Sequence, residues 1–114
     1  MAETFDDGIL TIYRKENRGK NGSKPKMVLV RKTEHYFGFE RVGLTRYYTA
    51  KREKEQIDTV VHIHQDREIS SGEVAVLEDG KQYTIRQAQH GEDDDGLRIT
   101  VLSLERLEEN YEFG

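Results

Sequence analysis

His62 and His64 stand two residues apart within Gln56-Ile57-Asp58-Thr59-Val60-Val61-His62-Ile63-His64-Gln65. Residues two apart on a strand share a face, so this spacing presents two imidazoles together, as a metal site would. A zinc centre needs a third ligand, and only His35, His90 or a carboxylate is left to supply one. Two histidines on the wetter face of a strand are the simpler account. Asp93-Asp94-Asp95-Gly96 has the composition of a calcium loop but not its alternating ligand spacing or its flanking helices, which leaves an acidic hairpin turn. Gly19-Lys20-Asn21-Gly22-Ser23-Lys24 resembles a phosphate loop in composition only, because its spacing differs and no helix signal follows. The chain has no cysteine, and no Gly-x-Ser-x-Gly elbow is present to activate a serine. Its paired carboxylates fall in solvated turns with no apolar pocket to shift a pKa. The expectation is a protein that is not an enzyme and takes neither a metal nor an organic cofactor.

A different kind of chemistry lies in Val42-Gly43-Leu44-Thr45-Arg46-Tyr47-Tyr48-Thr49-Ala50-Lys51-Arg52-Glu53-Lys54. Arg46, Tyr47, Tyr48, Lys51, Arg52 and Lys54 interleave positive charge with aromatic rings, the surface small β-barrels use to bind single strands by stacking and charge. Neighbouring side chains on a flat strand face opposite ways, so at most one of the adjacent tyrosines enters a core. The overall charge of −4 weakens a nucleic-acid reading, since such modules carry a strong positive footprint. The charge is also unevenly spread. Arg14, Lys15, Arg18, Lys20, Lys24, Lys26, Arg31 and Lys32 lie within one stretch against a single acid, Glu16. Glu92, Asp93, Asp94, Asp95, Glu105, Glu108, Glu109 and Glu112 cluster late in the chain. Arg18, Lys20, Lys24 and Lys26 of one copy could meet Asp93, Asp94 and Asp95 of another in head-to-tail contacts; a solvated loop and a solvated acidic tail explain the same pattern.

The elements that position these residues read as strands. A chain of 114 residues is one domain and supports one modest core. Hydrophobic residues make up 34% and charged residues 35%, so that core is thin. Alternation places strands at Gly8–Lys15, at Met27–Val42 with a bulge or bend at Gly38, at Gln56–Gln65, at Glu73–Glu78, at Lys81–Gln89 and at Leu97–Leu107. Asp79-Gly80 signals a type I′ hairpin. Leu44–Lys51 and Ser103–Tyr111 hold the best helical alternatives, of a turn or two. The expected fold is all-β, a small antiparallel β-barrel of about six strands with long loops. It spans residues 1–114, with 1–7 and 108–114 as flexible tails. No apolar run approaches the roughly 20 residues that span a bilayer, and the acidic opening Met1-Ala2-Glu3-Thr4-Phe5-Asp6-Asp7 lacks signal-peptide features. A soluble intracellular protein without a membrane partner is expected.

Val42 to Ala50, then Ile57-Asp58-Thr59-Val60-Val61, then Asp79-Gly80-Lys81-Gln82-Tyr83-Thr84-Ile85, and Leu102-Ser103-Leu104-Glu105-Arg106 follow in an order that resembles the head–tail connector proteins of tailed bacteriophages. Within these, the chain is most similar to the head-closure or stopper group, in the version found in PBSX-like defective prophage elements. The resemblance covers roughly Val42 to Arg106. It implies a small β-barrel whose copies form a ring beneath the portal and adaptor, extend the DNA channel, retain packaged double-stranded DNA and dock the tail proteins. It places the protein in the host cytoplasm during assembly and then at the head–tail interface of the virion. It assigns a channel-closing loop, by position, to Leu44–Gln56. A second function stands beside it, a small barrel that binds nucleic acid or protein on its own.

Overall fold

The computed structural model describes residues 4–19, 24–40, 57–93 and 95–114. Seven strands follow in chain order: β1 (Gly8–Asn17), β2 (Met27–Phe39), β3 (Thr59–His64), β4 (Val74–Val76), β5 (Gln82–Glu92), β6 (Arg98–Arg106) and β7 (Glu112–Phe113). Among the described residues there is no helix, so none is long and apolar enough to cross a membrane. The chain is an all-β protein. The sheet runs β1-β4-β5-β6-β3-β2-β7, and β1 also pairs with β2, so six antiparallel strands ring round and remove most of their edges. Closure is uneven. β4 contributes three residues, whereas β1 and β2 pair along ten positions.

Alternation sets the core. Leu10 and Ile12 of β1, Phe37 of β2, Val61 and Ile63 of β3, Tyr83 and Ile85 of β5, and Leu102 and Leu104 of β6 pack together with Ile69, Ala75 and Leu77. These apolar side chains recur with the strand period of two, and their removal from water drives the ring to close. The pairings of β1 with β4 and of β2 with β3 cover only Thr11–Tyr13 and Phe37–Phe39. The ladder joining Arg14–Asn17 to Met27–Val30 therefore extends beyond both as an arm, and β7 lies along it. The molecule is accordingly elongated, 53 × 29 × 24 Å.

Four local expectations are corrected. No register shift occurs at Gly38, which pairs regularly with His62. The irregularities fall instead at Lys32, skipped between the pairs Ile12–Thr33 and Tyr13–Arg31, and at Arg86, skipped between Ile85–Leu104 and Gln87–Ser103. The second one reverses the parity of β5, so Ala88 rather than Gln87 faces the core beyond it. The Asp79-Gly80 turn is not type I′, because among the described residues only glycines have positive φ, so Asp79 does not. Gly80 N donates to Leu77 O (2.9 Å), and Gly80 has φ 79°, as in the longer loops that end on a left-handed glycine. Ser103–Arg106 belongs to β6 and is not helical, while Leu44–Lys51 lies outside the described residues. Finally, the ends read as tails are docked where they are described. Asp7 N donates to Phe37 O (3.0 Å), and Glu112 and Phe113 pair in parallel with Val28 and Leu29.

Candidate functional site

The mid-chain stretch is described through its roots, since Arg46, Tyr47, Tyr48, Lys51, Arg52 and Lys54 lie outside the described residues. β2 and β3 are antiparallel neighbours, with Phe39 opposite Val61, so the chain leaves and re-enters the barrel at one place. Both roots are tied down. Glu40 N donates to Val60 O (3.0 Å), Asp58 N donates to Leu104 O (2.8 Å), and the Asp58 carboxylate accepts Arg106 N (2.7 Å).

A strap formed by Thr4–Asp7 crosses the first root. Asp7 Oδ2 accepts Phe39 N (2.9 Å), and Phe5 stacks on His64 at 3.9 Å while meeting His62 edge-on at 5.2 Å. His62 is 1% exposed, contrary to the expectation of a wet face: the strap and Phe5 cover it. Its Nε2 donates to Thr4 O at 2.5 Å and so carries a proton, because a carbonyl only accepts. Its Nδ1 lies 3.5 Å from the Glu40 carboxylate at the loop root. A Cβ on Gly38 would overlap Thr4 O and come within 2.6 Å of His62 Nε2. Glycine stands at 38 so that the strap can pass close by, and hence an expected bend becomes a point of close approach.

Other titratable groups are absorbed by structure. His35 Nε2 contacts Asp66 Oδ2 (3.0 Å), and His90 Nδ1 shares a hydrogen bond with the buried Thr100 hydroxyl (2.8 Å), which also accepts Asp66 N (3.0 Å). Among the described residues, no three His, Asp or Glu side chains converge as metal ligands. Burial raises the Tyr83 pKa above 10.0; Asp79 adds to this, Arg106 opposes it and Asp58 adds to it.

The candidate interface charges divide. Arg18 lies 3.6 Å from Glu16, and Lys26 lies 3.3 Å from Glu112. Elsewhere in the basic stretch, Arg14 meets Glu16, Arg31 meets Glu34, and the half-buried Lys32 meets Glu73 at 2.8 Å. Arg14 and Arg18 share the one acid Glu16, so the positive charge of this stretch is only partly compensated within the chain. Lys24 is exposed and has no acidic partner among the described residues. Asp93 organises its own turn: Oδ1 accepts Asp95 N (2.9 Å) and Leu97 N (2.8 Å). Asp95 is exposed, and Lys20 and Asp94 lie outside the described residues. β1 and β5 are both antiparallel to β4, so the basic turn after β1 and the acidic turn after β5 leave the same end of the barrel.

No family model matches the chain, and no curated protein matches it. Among solved structures it is similar to protein SF1141 from Shigella flexneri 2a, determined in solution, with a TM-score of 0.63 over 90% of this chain and 94% of that one. At 13% identity the likeness is one of fold.

Proposed function

We propose that the protein is a structural head–tail connector component of a phage or phage-like particle, with no catalytic role. It forms a ring below the portal and adaptor, closes the channel around packaged double-stranded DNA and docks the tail. The observation that carries this reading is the rooting of the basic, aromatic stretch between adjacent strands. Hydrogen bonds on both roots, and a strap across one, make a fixed collar from which residues 41–56 depart. A collar of this kind suits a segment that must bear on DNA from a rigid ring. The order of motifs from Val42 to Arg106, which resembles the head-closure group, and the closed small barrel support the same reading. Lys and Arg in that stretch provide the charge that DNA phosphates attract, and basic and acidic turns at one end of the barrel suit neighbours arranged side by side. The protein then acts first in the host cytoplasm and afterwards in the particle.

The test is size-exclusion chromatography and electron microscopy with and without a cognate portal–adaptor complex. Ring density on that complex is the expected result. Replacing Arg46, Lys51, Arg52 and Lys54 together by glutamine should leave the circular dichroism of the fold intact and reduce DNA retention in assembled particles. Failure to bind the complex, with tight and salt-sensitive binding of free single strands, would show that the barrel acts alone on nucleic acid.

A further inference from the structure

Residues 111–114 are held as a bound peptide is held. Gln82, 3% exposed at the start of β5, donates from Nε2 to Tyr111 O (2.9 Å) and accepts Tyr111 N at Oε1 (2.8 Å). One side-chain amide thereby satisfies both backbone groups of one residue, as a neighbouring strand would. Glu112 and Phe113 then add to β2 in parallel, and Gly114 N donates to Leu29 O (2.8 Å). Each side chain meets its own feature. Lys15 Nζ sits 5.5 Å from the Tyr111 ring centre, Lys26 Nζ 3.3 Å from Glu112, and the Phe113 ring 5.1 Å from that of Tyr13. A Cβ at Gly114 would come within 3.1 Å of both Arg18 and Val28, which favours the smallest residue there. Backbone pairing with a side-chain-specific seat for each position is the logic of strand addition to a sheet edge.

Resting on the connector reading above, we propose that this groove also receives residues 111–114 of the neighbouring copy, so that ring subunits are tied by exchange of β7. The hinge is short and solvated: Leu107 N is fixed to Gln82 O (3.0 Å), and Glu108, Glu109 and Asn110 are exposed before the Tyr111 clamp. The seat inside one chain buries little, since Phe113 stays 56% exposed and the Lys26–Glu112 pair is exposed on both sides. Every bond made within one chain is available between two wherever the neighbour's Gln82 lies within the roughly 14 Å that the chain from Leu107 to Tyr111 can span, and exchange then costs no contacts. Once copies are held side by side, the high effective concentration of the neighbour's strand favours it. The acidic 108–112 stretch of one copy also meets the basic β1–β2 arm of the next, which gives the exchange its charge complementarity. A contact that always runs from the tail strand of one copy to the arm of the next is heterologous, the kind that builds a ring when the rotation between copies closes.

Because the chain has no cysteine, disulfide trapping reads this directly. Full-length Lys26→Cys and Glu112→Cys chains, carrying tags of different size, are mixed, assembled with the portal–adaptor complex and oxidised. The exchange predicts a mixed covalent dimer roughly tenfold above either homodimer. Adding Gln82→Met, which keeps the shape and removes the amide, should cut that yield roughly tenfold through loss of two hydrogen bonds. Rings that form normally but give no mixed dimer, while the Lys26→Cys/Glu112→Cys double variant closes within single chains, overturn the exchange and leave the connector reading standing. Absence of the bridge in both formats overturns the seating of β7 itself. Failure of the connector reading is seen separately, as no binding to the portal–adaptor complex.

Discussion

Gly38 controls how closely the strap Thr4–Asp7 can lie over β2 and β3. Replacing it by alanine places a methyl group into the space shared by Thr4 O and His62 Nε2, and backbone on one side with a buried ring on the other gives little room to yield. Over-packing of this kind costs about 1–3 kcal/mol. Gly38→Ala should lower the urea midpoint by a corresponding amount and release the strap, seen as faster hydrogen exchange at Asp7 and Phe39, whose amide N–H groups it protects. An unchanged midpoint and unchanged protection would mean that the strap does not sit against Gly38 in solution. Tyr83 offers a pH test at the same scale. Burial first, and then Asp79, raise its pKa above 10.0 in the folded chain. The folded state therefore holds its proton more tightly than the unfolded state does. The stability this provides is complete below pH 10 and declines as the pH rises from there through the folded pKa. Urea midpoints of the natural chain should fall more steeply above pH 10 than those of Tyr83→Phe, with the two curves parallel below pH 9.

Six of the seven strands are legible as alternating segments because burying one face of a strand imposes a period of two on the residue types. What escapes is what a period cannot encode. Lys32 and Arg86 are the extra residues at the two bulges, and nothing in their neighbours' polarity distinguishes them. Each is re-aimed towards an acid, Lys32 to Glu73 and Arg86 to Glu105, so the sequence signal is a long-range charge partnership and not a local one. β7 escapes for a related reason. Glu112-Phe113 is too short to show alternation, and its seat depends on Gln82 and on an arm built from the other end of the chain. His62 lies on the face that the alternation gives it, opposite to that of Val61 and Ile63, but that face is dry there because a strap 58 positions away in the chain covers it. The candidate loop was legible as composition, and only the roots at Glu40 and Asp58 add geometry to it. The acidic cluster is separable in the structure alone: Asp93 is committed to its turn, whereas Asp95 is exposed.

The proposed ring is where these pieces would act together. Most of the arm's cations already have acids within the chain, so the full count of basic residues overstates what a neighbour would meet. Lys24, without an acidic partner among the described residues, and the exposed Asp95 are the charges best placed to act between copies. They follow parallel strands and leave the same end of the barrel, which places them within reach of side-by-side neighbours. An exposed pair contributes about 0.2–1 kcal/mol and a like-charge pair opposes by a similar amount, so a single reversal should weaken each contact by no more than about thirtyfold. Salt dependence is the sharper readout, because exposed charges are screened over a Debye length of about 8 Å at physiological ionic strength. Lys24→Glu and Asp95→Lys should each shift ring assembly, followed by light scattering, to higher protein concentration and flatten its dependence on salt. The double variant, with both signs exchanged, should recover assembly and the original salt slope. Asp93→Lys is expected to behave differently, lowering thermal stability through loss of the turn before any effect on assembly is seen. Rings whose formation is indifferent to salt and to both reversals would place the subunit contact away from these turns, and the exchange of β7 would then carry the interface.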